Sequence, residues 1–265
     1  MNHKPRKRFG QNFLQDQGVI ENIINALYLH SADNVLEIGP GKGALTRLLL
    51  QHLQKLSVVE IDRDLQLFLA NHFKGAPLQI IGADALTIDY TKWGNQLRIV
   101  GNLPYNISTP LILHLLSFVK NIKDMHFMLQ KEVVERLAAS PGGKAYGRLS
   151  IMMQYHCDVT YLFDVPPEAF YPKPKVESAV VRLVPHIVSP YPAVELNMLQ
   201  KLVATAFSMR RKTLANNLKS LINSNELSSL GIDARQRPEQ INLLNYIKVA
   251  NFLSEKANLI TKQQH

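Results

Sequence analysis

Asn34-Val35-Leu36-Glu37-Ile38-Gly39-Pro40-Gly41-Lys42-Gly43-Ala44 decides how this chain folds. The apolar run over 34–38 predicts a buried strand, the glycines turn it, and a helical pattern over Ala44–Leu53 follows. Glycines permit a tight turn and close backbone approach, and a helix N-terminus offers unpaired N–H groups. The spacing fits the fingerprint G-x-G-x-x-G/A, with Ala44 in the last place. Leu56–Glu60 is the next strand and ends in Glu60-Ile61-Asp62. A carboxylate there, 17 residues after Gly43, is placed to accept from both hydroxyls of a ribose. The turn alone is a weak sign. Strand, turn, helix, strand and terminal carboxylate in order predict a doubly wound α/β sheet of the Rossmann type.

Downstream, helix Arg63–Phe73 and strand Leu78–Ile81 lead to Gly82-Ala83-Asp84-Ala85. Asp84, a carboxylate at a third strand end, suits the amino group of an adenine; taken singly, helix capping is its plainer reading. The run Arg98-Ile99-Val100-Gly101 predicts another strand, closed by Asn102-Leu103-Pro104-Tyr105. Asn102 both accepts and donates, Leu103 before a proline is pushed to extended geometry, Pro104 fixes the path, and Tyr105 offers a ring for stacking. Two acceptors beside a ring suit a planar substrate with an exocyclic amino group, such as adenine. A helix-entry turn explains the same four residues if they stand alone. They do not: ligand-type segments end successive strands, and ligands in such sheets bind at the carboxyl edge.

The remaining pattern predicts helix Leu111–Phe118, strand Met125–Leu129, helix Lys131–Ala139, helix Leu149–Tyr155 and a strand over Asp158–Phe163. Upstream, Phe9–Leu14 is an aromatic and amide cluster before a helix opened by Gln15 or Asp16, read as a hydrophobic staple with a ligand contact as the alternative. A proline-rich loop over Val165–Lys175 holds Phe170, Tyr171, Lys173 and Lys175 before strand Ser178–Val184. Its stiffness could hold Phe170 as a stacking plate near phosphate-contacting lysines. Pro185–Pro192 reads as a linker, and the rest is helical, including the cations Arg210, Arg211 and Lys212. The expected domains are therefore 1–185, with a basic N-terminal arm, and a small helical, RNA-binding 186–265.

The formal charge of +9 favours a polyanionic partner. Residues 31–185 carry 16 basic and 14 acidic side chains, whereas the flanks are basic, with 4 against 2 and 10 against 5. Cys157 is the only cysteine, which rules out an intramolecular disulfide and a cysteine-rich zinc site; no metal is expected. The basic start has no apolar stretch after it and no run is long enough for a membrane helix, so a cytoplasmic protein is expected.

Gln11-Asn12-Phe13-Leu14, the Glu-x-Gly-x-Gly-x-Gly turn at 37–43, Glu60, Asp84, Asn102–Tyr105, Val165–Ser178 and Phe207–Leu218 together resemble the ribosomal RNA adenine dimethyltransferases. The likeness runs from about residue 8 to beyond 240, and Ala83 departs slightly from the commoner Gly-Asp pairing. Arg210–Leu214 looks more like the branch acting on two adjacent adenosines near the 3′ end of small-subunit RNA than the large-subunit branch. The resemblance implies S-adenosylmethionine as methyl donor, with Asn12, Leu14, Gly39, Gly41, Glu60, Asp84 and Asn102 at its binding positions. It implies that Asn102 and the Leu103 carbonyl hold the target amino group, with Pro104 shaping the loop and Tyr105 and Phe170 sandwiching the base. Arg6, Lys7, Arg8, Lys173, Lys175, Arg210, Arg211 and Lys212 are expected on RNA, in a pre-30S particle, from a monomeric enzyme. A nicotinamide oxidoreductase, a DNA adenine methyltransferase, a large-subunit enzyme and a non-catalytic assembly factor are the competing readings.

Overall fold

The computed structural model describes residues 11–209 and 211–263, with side chains described through residue 259. The chain divides into two compact units. One comprises the chain up to Val134 and Asp158–Pro185; the other comprises Glu135–Cys157 and the chain from His186 onward. The second break coincides with the expected domain end. Residues 135–157, expected in the first domain, fall in the second unit because Tyr146, Ile151 and Met152 belong to its apolar core.

In the first unit the chain runs β1 (Phe13–Leu14), α1 (Gln17–Leu27), β2 (Val35–Ile38), α2 (Ala44–His52), β3 (Leu56–Glu60), α3 (Arg63–His72) and β4 (Leu78–Gly82). It continues through β5 (Leu97–Asn102), α4 (Ser108–Leu115), β6 (Ile122–Gln130) and α5 (Lys131–Leu137), which ends past the unit boundary. After α6 (Arg148–His156) of the second unit it returns as β7 (Cys157–Val165), β8 (Phe170–Tyr171) and β9 (Ser178–Pro185).

Seven strands form one sheet in the order β4-β3-β2-β5-β6-β9-β7. The block from β4 to β6 is parallel, and β9 runs antiparallel to β6. Strands β2 and β3 are buried throughout, which is why they read as apolar runs without alternation. The chain winds from β2 outward to β4, then crosses back to place β5 on the other side of β2. That reversal makes the carboxyl ends of β2 and β5 the ligand crevice of such a sheet. The two strands approach closely there: a Cβ on Gly101 would lie 2.5 Å from the carbonyl oxygen of Ile38, so glycine is required. Helix α1 is capped by Asp16, whose Oδ1 accepts from the Val19 N–H at 2.9 Å. It buries Ile20, Ile23, Ile24 and Leu27 against the core under the sheet.

Phe13 and Leu14 form a short antiparallel ribbon with β8. In that ribbon Leu14 and Phe170 face each other and join the core. The aromatic cluster before α1 is thus a strand partner, where a staple was the first expectation.

The second unit is helical, with α6, α7 (Leu196–Ala206), α8 (Leu214–Leu218), α9 (Ser224–Ser229) and α10 (Leu243–Gln263). Its core joins Ile151, Leu199, Leu202, Leu214, Leu218 and Ile247. Thr213 caps α8, and Asn223 with Glu226 forms a capping box on α9. No helix among the described residues is long and apolar enough to cross a membrane.

Candidate active site

An open cavity lies at the switch point. Asn12 and Leu14 come to it from the β1 segment, Gly39 and Gly41 from the turn after β2, Glu60 from the end of β3 and Asp84 from the loop after β4. Asn102, Leu103, Pro104 and Tyr105 complete it from the end of β5. The structure therefore brings together every residue expected to hold the donor, and every expected catalytic residue except Phe170. That residue is 5% exposed and its ring lies in the core opposite Leu14, so it offers no open face for stacking. Strand alternation is the reason: Phe170 points inward and its neighbour Tyr171, 59% exposed, points outward.

Asn102 is not a helix cap, since α4 begins only at Ser108. Its Nδ2 donates to the Asn12 backbone carbonyl at 3.0 Å. The amide is thereby oriented, and its Oδ1 takes no hydrogen bond among the described residues. Leu103 is buried by its side chain, and its N–H donates to the Met128 carbonyl at 3.2 Å. Only its backbone is placed to serve the cavity. The Tyr105 hydroxyl is hydrogen-bonded to Ser178 Oγ at 2.7 Å, which fixes the ring from β9. Burial raises the Tyr105 pKa, against the pull of Ser178, so the phenol stays neutral.

The carboxylates form an acidic floor. Glu60 accepts from the Asp62 N–H at 2.9 Å on Oε1 and from the Gly41 N–H at 3.3 Å on Oε2. A carboxylate oxygen has two lone pairs, so both keep capacity for a ligand hydroxyl. Burial raises the Glu60 pKa, with the two N–H groups opposing. Asp84 Oδ1 accepts from the Leu86 N–H at 2.9 Å, a turn rather than a helix cap. Glu37, which opens the Gly-rich motif at 37–43 but was given no role of its own from the sequence, lines the same cavity and accepts from Thr46 Oγ1 at 2.6 Å. Burial, with the nearby Glu60 adding, pushes its pKa up to about 8. Its signal in the sequence is a carboxylate inside an apolar strand. Lys42 is the only Lys or Arg among the described lining residues, and its Nζ lies 5.0 Å from the Phe13 ring centroid. Phe13 closes the turn: a Cβ on Gly41, whose φ is +58°, would be 3.0 Å from its ring.

Of the residues expected on RNA, Lys173 and Lys175 are exposed, and Lys173 is paired with Glu168. Arg211 and Lys212 are exposed ahead of α8. The Asn217 side chain holds that segment by donating to the Met209 carbonyl at 3.2 Å. Arg6, Lys7, Arg8 and Arg210 lie outside the described residues. No cluster of metal-ligating side chains occurs among the described residues.

Known proteins are similar to this chain in sequence and in fold. The ribosomal RNA small subunit methyltransferase A of Legionella pneumophila (strain Lens) is 60% identical over 255 residues, covering 96% of this chain and all of the relative. Its namesake from Pseudomonas fluorescens (strain Pf0-1) is 54% identical over 258 residues, covering 96% of this chain and 95% of the relative. A dimethyladenosine transferase from Plasmodium falciparum has a similar structure, with a TM-score of 0.79 at 27% identity over 92% of this chain and 98% of that one. The 23S rRNA methyltransferase ErmE shares the fold, with a TM-score of 0.74 at 23% identity over 92% of this chain and all of that one. The model of the ribosomal RNA adenine dimethylase family matches residues 2–255, and with relatives of this identity over nearly its whole length the chain belongs to that family.

Proposed function

We propose that the protein transfers methyl groups from S-adenosylmethionine to N6 of two adjacent adenosines near the 3′ end of small-subunit ribosomal RNA, giving N6,N6-dimethyladenosine. The relatives at 54–60% identity carry the name of a small-subunit methyltransferase, which selects this substrate within the family. The single observation that carries the chemistry is Asn102, a cavity-lining residue whose amide nitrogen is tied to Asn12 and whose oxygen takes no hydrogen bond among the described residues.

The cavity suits the donor. A cation meets the carboxyl groups of Glu37, Glu60 and Asp84, of which Glu37 is largely protonated at neutral pH, against one lysine that lies over an aromatic ring. S-adenosylmethionine supplies a methyl group on a positively charged sulfonium, already a good leaving group. The residues then have one main task, to present a poor nucleophile correctly. The N6 lone pair of adenine is delocalised into the ring. Acceptors at Asn102 Oδ1 and the Leu103 carbonyl hold the amino hydrogens and draw that lone pair out of conjugation. Tyr105, fixed by Ser178, gives the base a plate. Positioning and preorganised dipoles dominate the rate, and no strong general base is needed. The base must leave its stack to reach the pocket.

We assign the enzyme to the cytoplasm, acting as a monomer on a pre-30S particle without a metal. Mass spectrometry of ribosomal RNA from cells with and without the gene tests the reading. Loss of the two dimethyladenosines without the gene, restored by the wild-type gene and not by Asn102→Ala, is expected. Unchanged modification in the deletion strain would overturn it.

A further inference from the structure

The β1–β8 ribbon sorts two adjacent aromatics to opposite faces, and the one turned outward has no role in the chemistry above. Phe13 and Tyr171 are direct partners in the antiparallel ladder, so their side chains stand side by side on one face. Phe13 lines the donor cavity and packs on Gly41. Tyr171 beside it is 59% exposed. The loop that follows is anchored at both ends to cavity-lining residues: through Tyr171 to Phe13, and through Ser178 to Tyr105. It forms a rim of the site. It carries Lys175, exposed and without an ion pair among the described residues. Exposure alone would not mark a site, since Tyr28 is 82% exposed at the end of α1. Tyr171 differs in pairing directly with a cavity-lining residue, on a loop that also carries an exposed lysine.

We propose that Tyr171 is the platform on which the nucleobase adjoining the target adenosine stacks, with Lys175 at the neighbouring phosphate. The proposal rests on the RNA substrate proposed above and adds a second base to it. A base taken from its stack leaves its neighbour with one unpaired face, and an exposed ring at the pocket rim replaces that lost partner. Stacking on an aromatic side chain is tolerant of base identity, so this subsite takes the neighbour on its own side of the target whichever of the two adjacent adenosines is in the pocket.

The test is steady-state methylation of small ribosomal subunits purified from cells lacking the gene, with donor binding followed by calorimetry. Tyr171→Ala is expected to raise KM for the particle about 5- to 100-fold while kcat and donor affinity change little. Tyr171→Phe and Tyr171→Trp should keep the wild-type KM, and Tyr171→Leu should not, because only a flat ring stacks. A wild-type KM in Tyr171→Ala, recovery by leucine, or a parallel fall in donor affinity would each overturn the proposal. The last two would show packing against Phe13 instead. A wild-type enzyme inactive on the particle would overturn the proposed function, and this subsite with it.

Discussion

The two ends of the parallel strands treat buried charge in opposite ways. At the amino end, Arg98 on β5 is 5% exposed and contacts Asp33 at 2.6 Å, Asp124 at 2.9 Å and the Leu27 carbonyl at 2.5 Å. Burial alone would raise both aspartates. The His30 N–H and Arg98 outweigh it at Asp33, and His126 and Arg98 outweigh it at Asp124, so both pKa values end below the usual range. At the carboxyl end, Glu37 and Glu60 are buried with no guanidinium or ammonium of the described residues bonded to them, and both pKa values are raised. The paired end is saturated and serves the fold. The carboxyl end keeps its acidic groups for a ligand, and its chemistry suits a cationic one.

Breaking the saturated end has the largest expected effect. Arg98→Met leaves the buried Asp124 without its guanidinium and Asp33 with Lys123 alone, a loss of about 3–5 kcal/mol. The melting temperature should fall by roughly 6–20 °C. Donor affinity of the protein that remains folded should not change, and adding Asp124→Asn should recover part of the loss. A melting temperature within about 1 °C of wild type would mean that the network contributes nothing net.

At the other end, Asn102→Ala should leave folding and RNA binding in place. Its oxygen acts chiefly as the amino group loses conjugation, so turnover bears the loss. About 3–4 kcal/mol, roughly a hundredfold or more, is expected in single-turnover methylation with donor and RNA saturating. A near wild-type rate there would move the chemistry away from this loop. Glu60→Ala should weaken donor binding by roughly 10- to 100-fold, the worth of a charged hydrogen bond, and leave RNA binding as it was. Equal donor affinity in calorimetry would remove Glu60 from the ribose site.

These contrasts were only partly legible in the sequence. Four segments of the site were legible because each follows an apolar run, so those polar strand ends could be read along the chain. Asn12 and Leu14 follow a basic stretch, and their place in the site came only from the resemblance. The β1–β8 ribbon was not, because two-residue strands more than 150 residues apart carry no periodic signal. Without that pairing, Phe170 and Tyr171 could not be assigned to inner and outer faces. The paired end was hidden for the same reason: Arg98, Asp33 and Asp124 meet only once the sheet order is known. The excursion of residues 135–157 was also invisible, since α5 and α6 read as continuous with the strands around them.

Titration sharpens the comparison with a smaller effect. Glu37 changes from an ordinary carboxyl value of 4.5 to about 8 on folding. Between those values the folded protein holds a proton that the unfolded chain has lost, so stability falls as pH rises through that window. The aspartates at the other end act with the opposite sign, losing their contribution as pH falls below the unfolded carboxylate value. Glu37→Gln should therefore flatten the alkaline limb of the melting curve, with a melting temperature above that of wild type at about pH 8.5. A cation entering the cavity favours the ionised carboxylate, so donor binding near neutral pH should release protons. Calorimetry in buffers of different ionisation enthalpy measures that release. Glu37→Gln should diminish it, and an undiminished release would place the titrating group elsewhere.

The smallest expected effect per side chain lies outside this contrast, in the basic segment before α8. Arg211 and Lys212 are exposed, so any phosphate they meet is screened by salt. Their worth shows less in affinity at one salt concentration than in how affinity changes with salt. Each phosphate neutralised releases condensed counterions, and log affinity falls linearly with log salt with a slope set by the number of such contacts. Replacing Arg210, Arg211 and Lys212 with alanine should flatten that slope by about 2–3. The melting temperature should stay put, because what anchors the segment is the buried Asn217 amide on the Met209 carbonyl. Asn217→Ala gives the converse, keeping all three charges while releasing the segment from its anchor. If the triple variant kept the wild-type slope, these cations would be a solvated face. If Asn217→Ala lost as much of the slope as the triple variant, the anchoring of the segment would matter as much as its charge.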